Sequence, residues 1–247
     1  VGSEMCIRDR WDTVGEWLPE ASRFPNGIRE VLDAIRANKM IPGMWLEIES
    51  VGIRSPILAQ MTDDFFFVRH GKRVIDNGRY QLDFRNEKVR EFATSVVDRL
   101  VSEYGVGYIK MDYNIDAGLG TEQNADSVGD GLLEHNRCYV SWIQSICQRY
   151  PHLMLENCAS GGMRMDYAML SCHHLQSVSD QEDYRYMSRI AALAPTAVIP
   201  EQAGVWVYPR AHAEVDEVIV NVVNGMLGRF YFCLLYTSDA ADDRISV

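Results

Sequence analysis

The strongest constraint on the fold is a recurring unit, a short apolar run that ends in charged or polar residues and is followed by a stretch with helical spacing. Such runs stand at MIPGMWLEI (40–48), RYQLDF (79–84), GVGYIKMD (105–112), HLMLENC (152–158), HLQSVSD (174–180) and PTAVIPEQ (195–202). Between them, apolar residues recur every three or four positions. Ile28, Val31, Leu32 and Ile35 share one face behind Asn26 as the expected cap. Val89, Phe92, Val96, Val97, Leu100 and Val101 align after Asn86 and stop at Gly105. A third helix is expected from about Leu132 to Tyr150, ended by Pro151. Strand then helix, repeated, needs parallel strands joined by right-handed crossovers. The polar strand ends, and the lack of a glycine-rich phosphate turn after the first strand, favour a (β/α)8 barrel over an open doubly wound sheet. About six strands are legible against the eight of a closed barrel. The expected fold is therefore an incomplete α/β (β/α)8 TIM barrel whose opening strand or strands are missing. Segment 56–78 has no clean period and reads as a long rim loop after the Trp45 strand.

The termini carry a different signal. Back-translation of MCIRD (5–9) and CLLYTS (233–238) allows one inverted repeat, similar to transposase-end adapters of sequencing libraries read through in frame. Residues 1–10 and 233–247 are therefore expected to be adapter-derived and 11–232 to be the partial barrel; an amphipathic terminus and a polar tail are the alternative. The net charge of −11 becomes −9 on that basis, because 1–10 sum to zero and 233–247 to −2. Such a balance opposes nucleic acid as a partner. No membrane partner is expected either, and the compartment stays open with the cytoplasm slightly favoured. Cys138, Cys147, Cys158 and Cys172 show no CxxC spacing, so reduced thiols are expected.

Chemistry concentrates at three strand ends. In YIKMDYN (108–114), Asp112 closes a run too apolar to need a charge, and Lys110, two residues earlier, faces the same side of an extended strand. A nearby lysine keeps an aspartate ionised, which suits a nucleophile at an anomeric carbon; an ion pair that merely locks the strand end is the alternative. Asp180 stands with Glu182 and Asp183, and like charges raise a neighbour's pKa, as a general acid needs. The same cluster could be a helix start capped by Asp180 or Glu182. Two carboxylates opposed at a barrel mouth are the minimal equipment for cleaving a glycosidic bond. In NCASGG (157–162), small residues allow close backbone approach and offer amides to sugar hydroxyls. Trp45, with Glu47 and Glu49, ends an earlier strand, where an indole can stack on a pyranose or pack in the core. Arg79 could bond hydroxyls or lie on the surface. His173 and His174 face opposite sides of a strand, so no metal is expected, and Trp142 reads as core.

Taken in order, RFPNGI (23–28), GMWLEIE (43–49), GRYQLDF (78–84), YIKMDYN (108–114), NCASGGMRMD (157–166) and SDQED (179–183) resemble the catalytic barrel of family 36 glycoside hydrolases, the microbial α-galactosidases. The resemblance covers most of 11–210. It implies a retaining exo-α-galactosidase that hydrolyses terminal α-galactosyl residues through a covalent glycosyl-enzyme. By the same matching Asp112 is the nucleophile and Asp180 the acid/base, while Lys110, Arg79, Trp45, Cys158 and Gly161 bind galactose. Asn114 and Asp183 join them as substrate-binding candidates. No cofactor is implied. The partners would be α-galactoside oligosaccharides of the melibiose or raffinose type, with homo-oligomerisation of the full-length enzyme left open. Glu47-Ile48-Glu49 replaces the family's Glu-Pro-Glu, and Met163 stands where a further glycine is common, which leaves the subfamily and leaving-group preference open. The paired aspartates that bind the galactose 4- and 6-hydroxyls have no counterpart after Trp11, so the chain alone is expected to be inactive. A raffinose-synthase-like galactosyltransferase or an α-N-acetylgalactosaminidase would use the same carboxylates. A metal-dependent barrel hydrolase and a non-catalytic sugar-binding barrel are rivals from other classes.

Overall fold

The computed structural model describes residues 11–210 and 213–233; segments 1–10 and 234–247, expected to be adapter-derived, lie outside the described residues. The chain divides into two compact units between Glu156 and Asn157.

The first unit contains α1 (Arg29–Ala37), β1 (Gly43–Leu46), β2 (Ser50–Gly52), β3 (Val68–Arg69), β4 (Lys72–Arg73), β5 (Ile75–Asp76), β6 (Arg79–Gln81), α2 (Glu87–Asp98), β7 (Tyr108–Met111) and α3 (Val128–Arg149), and it ends within β8 (Met154–Asn157). Strands β1 and β7 pair in parallel, Gly43 opposite Tyr108 through Leu46 opposite Met111, and β8 follows β7 in the sheet. The Asn86 side chain accepts the Lys88 N–H at 2.9 Å and starts α2, as the sequence predicts. The helical path continues through a wider turn, Arg99–Glu103, and Gly105 ends it at φ +68°. Helix α3 begins four residues before Leu132, because Ser127 caps the Asp130 N–H at 3.1 Å over a first turn with little apolar spacing to read. Helix α1 departs from expectation. Ile28 occupies its cap position without a side-chain bond, and the Asn26 amide donates to Glu30 instead.

The largest correction concerns 79–84. Strand β6 pairs antiparallel with β2 (Ser50 opposite Gln81) and with β5 (Ile75 opposite Tyr80), so it belongs to a small separate sheet. Periodicity reports that a segment is extended, not which way its partner runs. The strand that restores the count of six is β11 in the second unit. Segment 56–78 is the expected excursion, with two short 3-10 turns and the β3–β4 hairpin inside it.

The second unit contains α4 (Tyr167–Cys172), β9 (Leu175–Ser177), α5 (Tyr184–Leu193), β10 (Ala203–Val207), α6 (Val215–Gly225) and β11 (Arg229–Phe232). Strand β10 is parallel to β9 (Gly204 opposite Ser177) and to β11 (Gly204 opposite Arg229). The ladder runs one residue further, since Cys233 donates its N–H to Val207 O at 3.0 Å. The strand expected at 195–202 begins only at Ala203. Pro195 and Pro200 lack an N–H and fix φ, and the segment forms a short 3-10 turn, Ala194–Thr196. Val178, Met187, Ala191, Val198, Ala203 and Val205 pack as this unit's core. The chain is therefore α/β, with six strands of the parallel type among the described residues.

The first unit's core holds an aromatic group in which the Phe84 ring lies 5.2 Å from both Tyr139 and Trp142, centroid to centroid. His135 is buried beside them. Its Nδ1 accepts the Phe84 N–H at 3.1 Å, so the ring proton sits on Nε2, which donates to Glu49 Oε2 at 3.1 Å. A buried carboxyl and a backbone amide thus share one imidazole. His135→Leu strands both and should cost about 3 kcal/mol, read from the urea midpoint; a cost within about 0.5 kcal/mol would show that the pair adds nothing.

Candidate active site

In the first unit the site grows from the ends of β1 and β7. Tyr108, Lys110 and Asp112 alternate with the buried Ile109 and Met111, so the three share one face of the strand. Lys110 lies opposite Trp45 in the register. Asp112 is buried, and N–H donors hold both carboxylate oxygens: Trp45 Nε1 reaches Oδ2 at 2.8 Å, and the Tyr113 amide reaches Oδ1 at 2.8 Å. Trp45 itself packs edge-on against Trp11 and Trp17, at 5.8 and 5.9 Å. Trp45 is thus packed among aromatic rings and also presents its N–H to Asp112.

Arg79 is almost completely buried, at 2% exposure, which excludes the surface reading. It donates to Glu47 Oε2 and to Asn114 O, and its guanidinium lies over the Trp11 ring at 4.6 Å. Asn114 enters through its backbone, because its N–H donates to Glu47 Oε1 at 2.6 Å while its carbonyl accepts from Arg79. Glu47 is the residue that motif reading left without a role. Burial pushes its carboxyl up to about 7, against the pull of Arg79 and of the Asn114 N–H, with the charge of Asp112 adding to the rise. A charged residue inside an apolar run, two positions from Trp45, was the available signal.

In the second unit, Cys158 is fully buried and its Sγ accepts the Gly161 N–H at 3.3 Å. That amide is committed inside its own turn. Gly161 has φ +86°, and a Cβ added there would lie 2.5 Å from Ser179 Cα. The close approach expected of this turn is thus to the backbone just before Asp180, and the two residues pair directly. Asp180 is exposed, beside a turn in which Ser179 Oγ accepts the Gln181 N–H at 3.1 Å. The capping role expected of Asp180 or Glu182 falls to Asp183, which accepts the Arg185 N–H at 2.9 Å at the start of α5. The Arg185 side chain and this backbone bond hold the Asp183 carboxyl down at about 2. The Tyr208 phenol lies in the same surroundings; burial pushes its pKa up first, and Asp180 and Glu182 add to the rise. His173 is buried, with Nδ1 2.9 Å from Met169 O, while His174 is exposed.

A family model for melibiases matches residues 6–210, and the chain belongs to the melibiase family. α-Galactosidase 2 of Pediococcus pentosaceus is 27% identical over 176 residues, which cover 69% of this chain and 24% of the relative. The Escherichia coli α-galactosidase is 28% identical over 176 residues, covering 69% and 23%. The chain thus spans about a quarter of the length of the curated relatives it matches. Among solved structures, the family 36 α-galactosidase AgaA of Geobacillus stearothermophilus superposes with a TM-score of 0.79 at 20% identity, covering 94% of this chain and 33% of that one. The Lactobacillus brevis α-galactosidase gives 0.79 at 20% identity, covering 94% and 32%. That likeness shows the fold.

Gly161 offers a direct check on the turn in the second unit. A Gly161→Ala side chain must push the Ser179–Asp180 backbone aside and hold a φ of +86°, which should cost about 2 kcal/mol. The urea midpoint should fall accordingly, and a midpoint within about 0.5 kcal/mol of the native one would show that the close approach is not tight.

Proposed function

We propose that this chain supplies the catalytic segment of a retaining exo-α-galactosidase acting on α-galactoside oligosaccharides of the melibiose or raffinose type. The observation that carries the reading is the setting of Asp112, a buried carboxylate at a strand end with an N–H donor on each oxygen. Donors placed in this way fix the lone pairs of an anionic nucleophile. The family match adds the reaction class, and the named relatives are α-galactosidases. Variants of the Geobacillus stearothermophilus AgaA enzyme have been solved with stachyose and with raffinose, which supports the substrate class.

In the first step a carboxylate oxygen of Asp112 attacks the anomeric carbon, the glycosidic C–O bond breaks, and Asp180 gives its proton to the departing oxygen. In the second, Asp180 takes a proton from water as the water oxygen attacks the same carbon, freeing Asp112 and α-galactose. A retaining pair of carboxyls works at about 5 to 5.5 Å separation. Asp180 is favoured over Asp183 because a general acid must carry its proton near neutral pH, whereas Arg185 and the helix start hold Asp183 near 2. Lys110, Arg79, Trp45, Cys158, Gly161 and Asn114 take the galactose-binding and positioning roles. The structural task of Asp183, starting α5, stands beside its candidacy as a ligand.

The experiment uses the enzyme expressed from the complete reading frame that encodes this chain. Asp112→Ala should lower turnover by about 10⁴-fold or more. Asp180→Ala should spare aryl galactosides whose leaving group needs little protonation, and azide should restore it with retained configuration. If Asp183→Ala shows that pattern and Asp180→Ala does not, the acid/base assignment is reversed. With sucrose present, a galactosyltransferase would transfer rather than hydrolyse, which separates the raffinose-synthase-like alternative.

A further inference from the structure

Glu47 is fully buried, and the two carboxylates of the catalytic reading do not account for it. Its Oε1 accepts the Asn114 N–H at 2.6 Å and its Oε2 meets the Arg79 guanidinium. Arg79 in turn donates to Asn114 O, so carboxylate, guanidinium and backbone close a ring. Asn114 lies two residues beyond Asp112. Trp45 lies two residues before Glu47, on the same side of an extended chain, and donates to Asp112. One strand end therefore grips the nucleophile directly through Trp45, and grips the chain that follows it through Glu47. The ring also orients Arg79 Nε, which is buried and has no hydrogen-bond partner among the described residues.

We propose that Glu47 is a positioning residue, a latch that holds Arg79 and the Asn114 backbone for galactose recognition beside Asp112 and lets them go when it takes up a proton. The inference rests on reading Asp112 as the nucleophile and Arg79 as a galactose ligand. A neutral carboxyl can still accept the Asn114 N–H, but it loses its Coulomb hold on the guanidinium, which is then a buried cation without its anion. Arg79 on β6 and Asp112 after β7 are the charged groups that act on Glu47, one lowering and one raising its pKa. Because burial outweighs the guanidinium and sets the carboxyl near 7, the latch changes state around neutrality. The consequence for stability has the opposite sign. A carboxyl whose folded pKa lies above its ordinary 4.5 contributes most stability below that value and loses it as the pH rises through about 7. The closed latch is thus the less stable state of this group.

The test compares native enzyme, Glu47→Gln and Glu47→Asp, all expressed from the complete reading frame, on both sides of neutrality. Readouts are kcat and KM on an aryl α-galactoside, galactose binding by calorimetry, and thermal midpoint. Native kcat/KM should fall below an inflection near 7. Glu47→Gln should lose that inflection and show KM and galactose Kd raised by about tenfold to a hundredfold at every pH. Its thermal midpoint should vary less with pH than that of the native enzyme. Glu47→Asp keeps the charge but is one carbon too short to span Arg79 and Asn114, so it should keep an inflection while KM rises. Native KM and an unchanged pH profile in Glu47→Gln would overturn the latch, as would native KM in Glu47→Asp. Calorimetry reads the latch without chemistry, so survival of turnover in Asp112→Ala would sink the nucleophile assignment alone.

Discussion

A carboxylate and a guanidinium withdrawn from water together hold the strand-end residues of the first unit in shape. Glu47 is 0% and Arg79 2% exposed, and a charge buried alone would cost several kcal/mol. The Coulomb gain offsets part of that, and the Asn114 peptide adds a donor to Glu47 and an acceptor to Arg79, while Arg79 Nε has no hydrogen-bond partner among the described residues. The small antiparallel sheet follows from this need. By pairing Gly52 with Arg79, it turns β6 back toward the extension of β1. Three side chains at alternate positions, from β1 into the turn after it, then reach four neighbours: Trp45 meets Asp112, Glu47 meets Arg79 and Asn114, and Glu49 meets His135.

The second unit depends on a steric constraint instead. Gly161 and Ser179 come so close that no side chain fits between them, which fixes the backbone entering Asp180 against the turn that carries Cys158. Beyond Asp180 the chain is set again where Asp183 starts α5. One aspartate of the cluster is thereby tied to a helix start and an arginine, while Asp180 stays exposed.

Much of this was legible in the sequence. Helical spacing located α2 and α3, and the polar ends of apolar runs pointed to the strand termini at Met111, Asn157 and Ser177. Melibiase blocks in family order identified the family that the comparison then showed. What escaped were features set by distant partners. RYQLDF alternates as a strand should, but only tertiary pairing makes it antiparallel, and RFYF at β11 is too short to stand out. The position of Glu47 in an apolar run marked it as unusual, but its partners are 32 and 67 positions away in sequence, so the spacing could not name them. Arg79 looked equally fit for surface or site until its burial was known.

The central claim is that Asp112 forms the covalent bond to galactose. A 2-deoxy-2-fluoro-α-galactosyl fluoride forms the glycosyl-enzyme but slows its hydrolysis, since the electronegative fluorine destabilises the oxocarbenium-like transition state. Peptide mapping by mass spectrometry of the inactivated enzyme, expressed from the complete reading frame, should then find the fluorogalactosyl group on the peptide containing Asp112, with fragmentation placing it on that side chain. A label on any other carboxylate, or inactivation with no covalent adduct, would contradict the account.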